Sequence, residues 1–419
     1  MRKFSSYAEF YENVIREAIE KCSYCGACID VCRMQPYYKR PENIMEKMIN
    51  FLKGGELSSE VYKETFDCGC CGGCTDSCPF GIDPHLLHEA AKIEIVKRGG
   101  RPPESLNFVL PGQKYNVYVI LSALQMRPSE ARWLKKVPPS PKKVKNVLFT
   151  GCFPVAIPSV LFAFMDVLEK IGVDFVALEG GDLCCGTVFC PAGGMVDESE
   201  KRARELVNAL KVFSPERVIV VCTGCYRQFT EFMSTYLDLD FEVAFYTDFL
   251  RENLEKLNFI KPLEKTVFLQ ESCMPRRTKV DESIKDVLKA IPGVKIVKSQ
   301  SLCCGGLTNM TNPLLGRIYG QILVEEAAKS RADYLVSSCP FCRLNSYPHV
   351  RERSLTLKDA AELINEAIGG KVYEDKLETY WRCRSVEEII EKSKENFKAN
   401  GFTEEEMRKI LPLLFAPIQ

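Results

Sequence analysis

Val147-Leu-Phe-Thr-Gly-Cys152-Phe-Pro154 opens a stretch that runs on through Cys184-Cys185-Gly186 to Cys222-Thr-Gly-Cys225. The chain then writes this stretch a second time, as Val267-Phe-Leu-Gln-Glu-Ser-Cys273-Met-Pro275, Cys303-Cys304-Gly305 and Cys339-Pro-Phe-Cys342. Corresponding cysteines are offset by 121, 119 and 117 residues, which marks an internal duplication. Each cysteine motif follows a short apolar run of strand type: Val147–Thr150, Asp174–Leu178 and Arg217–Val221 in the first copy, Thr266–Leu269, Val294–Lys298 and Asp333–Val336 in the second. Helical periodicity fills the intervals at Val160–Ile171, Asp197–Phe213, Asp281–Ala290 and Leu314–Lys329, with Asp197 and Glu200 reading as a capping box. The alternation predicts two α/β, Rossmann-like lobes with parallel sheets. It also places the cysteines at the C-terminal edges of the strands, where such sheets bind ligands. Gly186 and Gly305 would let the backbone pass close to whatever the thiols hold.

Upstream, a predicted amphipathic helix at Tyr7–Lys21 leads into Cys22-x-x-Cys25-x-x-Cys28-x-x-x-Cys32. A helical segment at Asn43–Leu52 separates it from Cys68-x-x-Cys71-x-x-Cys74-x-x-x-Cys78-Pro79. Two such runs resemble a bacterial-type two-cluster ferredoxin, in which the fourth cysteine of each run serves the other cluster. The resemblance implies two cubane 4Fe-4S clusters, one on Cys22, Cys25, Cys28 and Cys78, the other on Cys68, Cys71, Cys74 and Cys32. A pair of four-cysteine zinc sites is the alternative, but zinc spacing lacks the third x-x-separated thiol. Arg33 stands where a proline is usual, and Cys70 falls outside the register. His85 and His88, on a predicted helix Pro84–Lys97, read as packing residues rather than ligands.

The proline- and lysine-rich region Gly99–Lys145 reads as an extended, solvated linker. The expected division is a two-cluster ferredoxin-type domain over 1–100, a linker over 101–145, lobes at 146–262 and 263–370, and a helical tail at 371–419. The fold class is therefore α+β and α/β: a mainly helical N-terminal domain followed by two duplicated parallel-stranded lobes. Within the tail region, Phe402–Phe415 is a candidate docking surface.

Twenty-one cysteines with no apolar leader near the N-terminus point to metal binding in a reducing cytoplasm rather than to disulfides. Lys plus Arg and Asp plus Glu both number 56, a balance that argues against nucleic acid as a partner. The longest central apolar run, Val117–Met126, is about half of what a membrane span needs. Any membrane association is thus expected to come through a partner. No Gly-x-Gly-x-x-Gly follows a strand and no Walker motif is present, so a flavin or nicotinamide dinucleotide is not expected.

Five thiols per lobe exceed what one tetrahedral ion needs, and adjacent thiolates suit a polynuclear centre. The spacings Cys-x31-Cys-Cys-x36-Cys-x-x-Cys and Cys-x29-Cys-Cys-x34-Cys-x-x-Cys resemble the CCG domain of the heterodisulfide reductase family. A ferredoxin-type domain fused to two CCG domains is similar to the D-type subunits of that family. The same layout occurs in iron–sulfur subunits of glycolate oxidase, lactate utilisation enzymes and anaerobic glycerol-3-phosphate dehydrogenase. The resemblance implies one noncubane 4Fe-4S cluster per lobe, on Cys152, Cys184, Cys185, Cys222 and Cys225, and on Cys273, Cys303, Cys304, Cys339 and Cys342. Gly186 and Gly305 would border the clusters, and Cys184, Cys185, Cys303 and Cys304 would be catalytic, reducing a small-molecule disulfide or oxidising its thiols.

Zinc in one lobe and free redox thiols are the alternatives to these lobe clusters. The competing function is an electron-transfer subunit carrying electrons from a flavin-dependent glycolate, lactate or glycerol-3-phosphate dehydrogenase to quinone. Either function implies a hetero-oligomeric complex with a flavoprotein, a membrane cytochrome or a ferredoxin. Arg276 and Arg277 are candidates to meet an anionic substrate. Cys190 reads as a buried thiol near the first lobe's motif and Cys383 as structural.

Overall fold

The computed structural model describes residues 3–32, 40–131, 134–135, 140, 142–181, 183–273 and 280–416. Its strands are β1 (Leu134–Lys135), β2 (Asn146–Phe149), β3 (Phe175–Leu178), β4 (Arg217–Val220), β5 (Glu242–Phe245), β6 (Lys265–Gln270), β7 (Val294–Gln300), β8 (Tyr334–Val336) and β9 (Thr356–Lys358). They form two sheets, β1-β3-β2-β4-β5 and β7-β6-β8-β9, and every pairing in both is parallel. The central strands are short apolar runs with no alternation, such as Val147-Leu-Phe in β2 and Val218-Ile-Val in β4. Helices cover both faces of the sheet and bury all of these side chains. β7 alternates instead, exposing Lys295 and Val297 while Val294, Ile296 and Lys298 are partly covered, as suits an edge strand.

One apolar cluster spans both lobes, and a second lies on the other face of the first lobe's sheet. Helix Pro158–Lys170 of the first lobe packs on Ala360–Ala367 of the second, and Tyr246–Glu252 packs on Val280–Ala290. A buried polar seam runs along this contact. Tyr246 lies 2.6 Å from Asp359 Oδ1 and 2.7 Å from Ser338 Oγ, and the Thr247 and Ser283 hydroxyls are 2.8 Å apart.

The N-terminal region is helical, with segments Tyr7–Lys21, Ile44–Leu52, Ser59–Asp67 and Pro84–Lys97 closing around a separate apolar cluster. Ser6 caps the first of these helices, accepting from the Glu9 amide. Tyr7 and Tyr11 turn away from this cluster and pack on Phe232 of the first lobe. The expected capping box is not formed. Its helix begins at Val196, so Asp197 already lies inside it, and the Glu200 carboxylate accepts instead from the Tyr7 amide at 2.8 Å and from Arg204.

The region expected to be an extended linker contains a buried helix, Val117–Gln125, capped by Asn116. Its apolar run finds cover in the tail helix Val386–Ala399, and Tyr380 and Asn396 both donate to the Leu124 carbonyl. Burial of that run outweighs the proline signal, which is confined to its flanks. Most of Val137-Pro-Pro-Ser-Pro-Lys-Lys, like Arg276 and Arg277, lies outside the described residues. Among the described residues no helix is long and apolar enough to cross a membrane.

Candidate metal centres

In the first lobe β2 delivers Cys152, the loop after β3 delivers Cys184 and Cys185, and β4 delivers Cys222 and Cys225. Their approach depends on glycine. A Cβ on Gly151 (φ +71°) would lie 3.1 Å from Cys225 Sγ, and one on Gly186 (φ +90°) would strike the Ser199 carbonyl oxygen at 2.5 Å. The five thiols lie as a chain of neighbours: Cys152 beside Cys184, Cys184 beside Cys185, Cys185 beside Cys225, Cys225 beside Cys222. The Gly186 amide donates to Cys184 Sγ at 3.4 Å, and Thr187 Oγ1 lies 3.3 Å from Cys185 Sγ. All five are buried. Contact with neighbouring thiols, reinforced by burial, pushes Cys184 and Cys225 up. Cys185, flanked by both, is held well below the usual thiol range.

The second lobe repeats the arrangement with a difference. Cys339 contacts Cys342, Cys342 contacts Cys304, and Cys273 and Cys303 lie beside them. The amides of Gly305 and Gly306 donate to Cys303 and Cys304 at 3.4 and 3.3 Å, and Gln270 donates to Cys342 at 3.3 Å. The Cys303 thiol also contacts Cys71 from the N-terminal region. Gly69 makes that approach feasible, since a Cβ there would stand 2.7 Å from Thr308 Oγ1 and 3.8 Å from Cys303 Sγ.

Of the N-terminal cysteines, Cys22, Cys25, Cys28 and Cys78 lie within electrostatic reach of one another. Burial, aided by the neighbouring thiols, pushes Cys28 up to about 11. Cys32, Cys68, Cys71 and Cys74 gather around a cavity that Cys28 and Cys303 also line. Arg40 donates to Cys32 Sγ at 3.0 Å and pairs with the buried Glu64. Thiols within each group lie side by side, and among the described residues no three Cys, His, Asp or Glu side chains close around one ion's position. The donor chemistry fits iron–sulfur clusters: soft thiols in sets of four and five, with backbone amides aimed at their sulfurs.

The groups stand in series. Cys25 is exposed at one end, Cys71 meets Cys303 in the middle, and the lobe sets meet where Phe341 of the second lobe closes on Phe153 and Gly224 of the first. Phe341, between Cys339 and Cys342 in sequence, packs on Phe153 with centroids 4.2 Å apart and the rings tilted by 44°. Both rings line a cavity of about 350 Å³, together with Leu121, Trp381, Phe415 and Arg317.

His85 and His88 are buried packing residues, bonded to Thr75 (2.8 Å) and to Glu64 (3.2 Å) and the Pro84 carbonyl (2.7 Å). Cys190 is fully buried against Tyr7 and Tyr11, and Cys383 donates to the Thr379 carbonyl. Arg227, two residues after Cys225, is a buried cation bonded to Glu89 at 3.1 Å and Glu231 at 2.9 Å. Nothing in the sequence singled out Arg227, because Glu89 lies 138 residues away.

Residues 18–82 match the 4Fe-4S dicluster domain family, and residues 146–230 and 267–345 match the CCG cysteine-rich domain family. Over 393 residues the chain is 30% identical to the D-type subunit of the dihydromethanophenazine:CoB–CoM heterodisulfide reductase of Methanosarcina barkeri, covering 84% of this chain and 94% of that protein. The chain belongs to the family of heterodisulfide reductase D-type subunits. It is thus an iron–sulfur oxidoreductase component with a dicluster domain and two cysteine-rich domains. This family member is also 24% identical to the glycolate oxidase iron–sulfur subunit of Escherichia coli, over 71% of this chain and 82% of that one. A crystal structure of a hypothetical protein from Helicobacter pylori shares the fold, with a TM-score of 0.54 over 89% of this chain and 77% of the other at 12% identity.

Proposed function

We propose that this chain is the disulfide-reducing iron–sulfur subunit of a hetero-oligomeric complex. The observation that carries the reading is the serial placement of four thiol groups, ending in two five-cysteine sets at a shared lobe interface. In this reading Cys22, Cys25, Cys28 and Cys78 hold an outer cubane cluster. Cys32, Cys68, Cys71 and Cys74 hold an inner one, and each lobe's five cysteines hold a noncubane cluster bordered by Gly186 or Gly305. The clusters, when bound, supply one-electron transfer, and a disulfide needs two electrons and two protons to become two thiols. The residues around them do the rest. Phe153 and Phe341 separate the lobe sets from the cavity and limit water. Arg317, with no ion-pair partner among the described residues, is placed to receive an anionic group of the substrate. In this reading Cys184, Cys185, Cys303 and Cys304 are the catalytic thiols, and the domains are 1–100, 146–262, 263–370 and 371–419, with 101–145 a packed connection rather than an extended linker.

The experiment is reduction of the anaerobically purified protein with a viologen, followed by addition of the coenzyme M–coenzyme B disulfide. Two viologens oxidised per disulfide consumed is the expected result. Metal analysis should give about sixteen irons per chain, four for each cluster. Stoichiometric zinc with less iron would replace one lobe cluster.

A second reading is favoured by the likeness to the glycolate oxidase iron–sulfur subunit. There the chain passes electrons from a flavin-dependent glycolate, lactate or glycerol-3-phosphate dehydrogenase toward quinone. No disulfide turnover, together with co-purification of a flavoprotein, would select it. A flavoprotein, a membrane cytochrome or a ferredoxin is the partner chemistry either reading requires. A cytoplasmic protein, attached to a membrane only through such a partner, is consistent with both.

A further inference from the structure

Lys92 lies on the helix Pro84–Lys97 and is only 1% exposed. Its ammonium makes three hydrogen bonds, to the Pro191 carbonyl at 2.6 Å, the Cys68 carbonyl at 3.2 Å and Cys70 Sγ at 3.6 Å. Those acceptors use all three of its N–H groups, yet none carries a formal charge in its ordinary state. Among the described residues no carboxylate comes within ion-pair distance. The Asp67 carboxylate acts on it only from beyond that distance, and a buried ammonium without a bonded anion is costly, so proteins keep one only where something compensates it.

The pocket is built around this cation. Gly194 (φ +70°) brings the first lobe's loop so close that a Cβ would stand 2.3 Å from the Lys92 carbonyl oxygen. The turn Val188–Ala192, which follows Cys184-Cys185-Gly186, carries the Pro191 carbonyl over the ammonium. Cys70, out of register with the ligand spacing, has φ +49°, an uncommon conformation for a residue with a side chain. There its thiol is buried against the Pro191 and Cys68 carbonyls and accepts from Lys92.

We propose that Lys92 is a buried counter-charge of the inner cluster, a positioning residue that helps hold that cluster's reduction potential up beside Arg40, whose own bond to Cys32 is offset by its pairing with Glu64. The inference rests on the ligand assignment proposed above, in which Cys68 serves the inner cluster with Cys32, Cys71 and Cys74. Four thiolates outweigh the charge of the iron–sulfur core, so such a cluster is anionic. Each electron it takes adds one more negative charge. A fixed cation bonded to the carbonyl of one ligand favours the reduced form, and burial keeps that effect unscreened. The outer group, with its exposed Cys25, has no such cation bonded to a ligand among the described residues. A raised inner potential would draw electrons inward, toward the contact between Cys71 and Cys303.

The test is an EPR-monitored redox titration of the full-length, cluster-loaded chain with dithionite as reductant, comparing wild type with Lys92→Gln, Lys92→Met and Lys92→Arg. Gln and Met should lower the inner cluster's midpoint by at least a tenfold change in the reduced-to-oxidised ratio, about 59 mV for one electron. Arg should keep it near wild type, and the outer cluster should not move in any variant. If Lys92→Met does not accumulate as folded protein, Gln against Arg reads the same difference. An unchanged inner midpoint in Gln, equal shifts of both clusters, or equal iron loss in all variants including Arg would each overturn the proposal. Cys68→Ser tests the ligand assignment separately: it should remove one ferredoxin-type signal, and if both signals persist unchanged the assignment fails rather than the role of the charge.

Discussion

Replacing Gly305 with alanine should do more damage than the loss of a flexible residue explains. Gly305 sits at φ +74°, and a Cβ there would stand 2.4 Å from the Gly316 carbonyl oxygen and 2.7 Å from Tyr319 Cβ. The left-handed conformation alone costs alanine roughly 1–2 kcal/mol. Relieving backbone and side-chain overlap in a packed site adds about 1–3 kcal/mol, for a total near 2–5 kcal/mol. The atoms forced to move are specific: the start of helix Pro313–Lys329 and the loop whose amides reach Cys303 and Cys304. Gly401 provides the control. It has φ +81° just beyond helix Val386–Ala399, and no atom lies within 4 Å of its added Cβ. Gly401→Ala should therefore show the backbone cost alone. Denaturant unfolding and iron analysis of anaerobic protein separate the two. Gly305→Ala should lose about 1–3 kcal/mol more than the control, together with about four of sixteen irons. Equal stability and a full iron complement in both variants would refute the claim that Gly305 is fixed by close approach at the metal site.

Cys185→Ser should abolish viologen-driven disulfide reduction while leaving the ferredoxin-type EPR signals in place; loss of all signals would mean that the variant disrupts the fold rather than the site. Arg317→Gln should raise KM for an anionic disulfide about tenfold, which corresponds to about 1.4 kcal/mol, with kcat little changed. An unchanged KM in steady-state assays would remove Arg317 from substrate binding. Burial raises the Asp359 carboxyl to about 6, so the fold holds a proton that the unfolded chain releases near 3.9. Stability should therefore fall as pH climbs from about 4 through 6, by roughly 3 kcal/mol, and then level off. Asp359→Asn should flatten that interval in urea-unfolding midpoints measured at each pH, and an unaltered slope would assign it to another group.

The six strands that carry cysteine motifs were legible because each is an apolar run of β-branched and aromatic residues with a motif close behind. β1, β5 and β9 were not. Glu242-Val-Ala-Phe and Thr356-Leu-Lys are too short to express a period, and they become strands because β4 and β8 offer a parallel edge. Likewise Val117–Gln125 was visible as apolar but not as a helix with a destination, because its cover comes from residues about 270 positions later. At the site, residue types and spacing carried the thiol groups. They could not carry Arg227, Arg40 or Lys92, whose partners come from other regions or from backbone carbonyls that no side-chain pattern encodes. Long-range pairing of buried charge is decided by packing, and sequence periodicity reports only which face of an element is buried.

Duplication in the sequence suggests two equivalent lobes, yet packing makes them different. All five thiols of the first lobe are buried, whereas Cys273 and Cys303 of the second are partly accessible. Cys303 meets Cys71 because Gly69 and Thr308 let the N-terminal loop close on the second lobe, and Thr311 and Asn312 bond to Phe66 and Asp67 to hold it there. The first lobe meets the same region differently, through Arg227 on Glu89 and the Pro191 carbonyl on Lys92. The second lobe thus meets the N-terminal thiol run at Cys71, and the first meets the charges beside that run and the out-of-register Cys70. Identical cysteine spacing sets what each lobe can bind, while these unequal contacts set how each is wired to the rest of the chain.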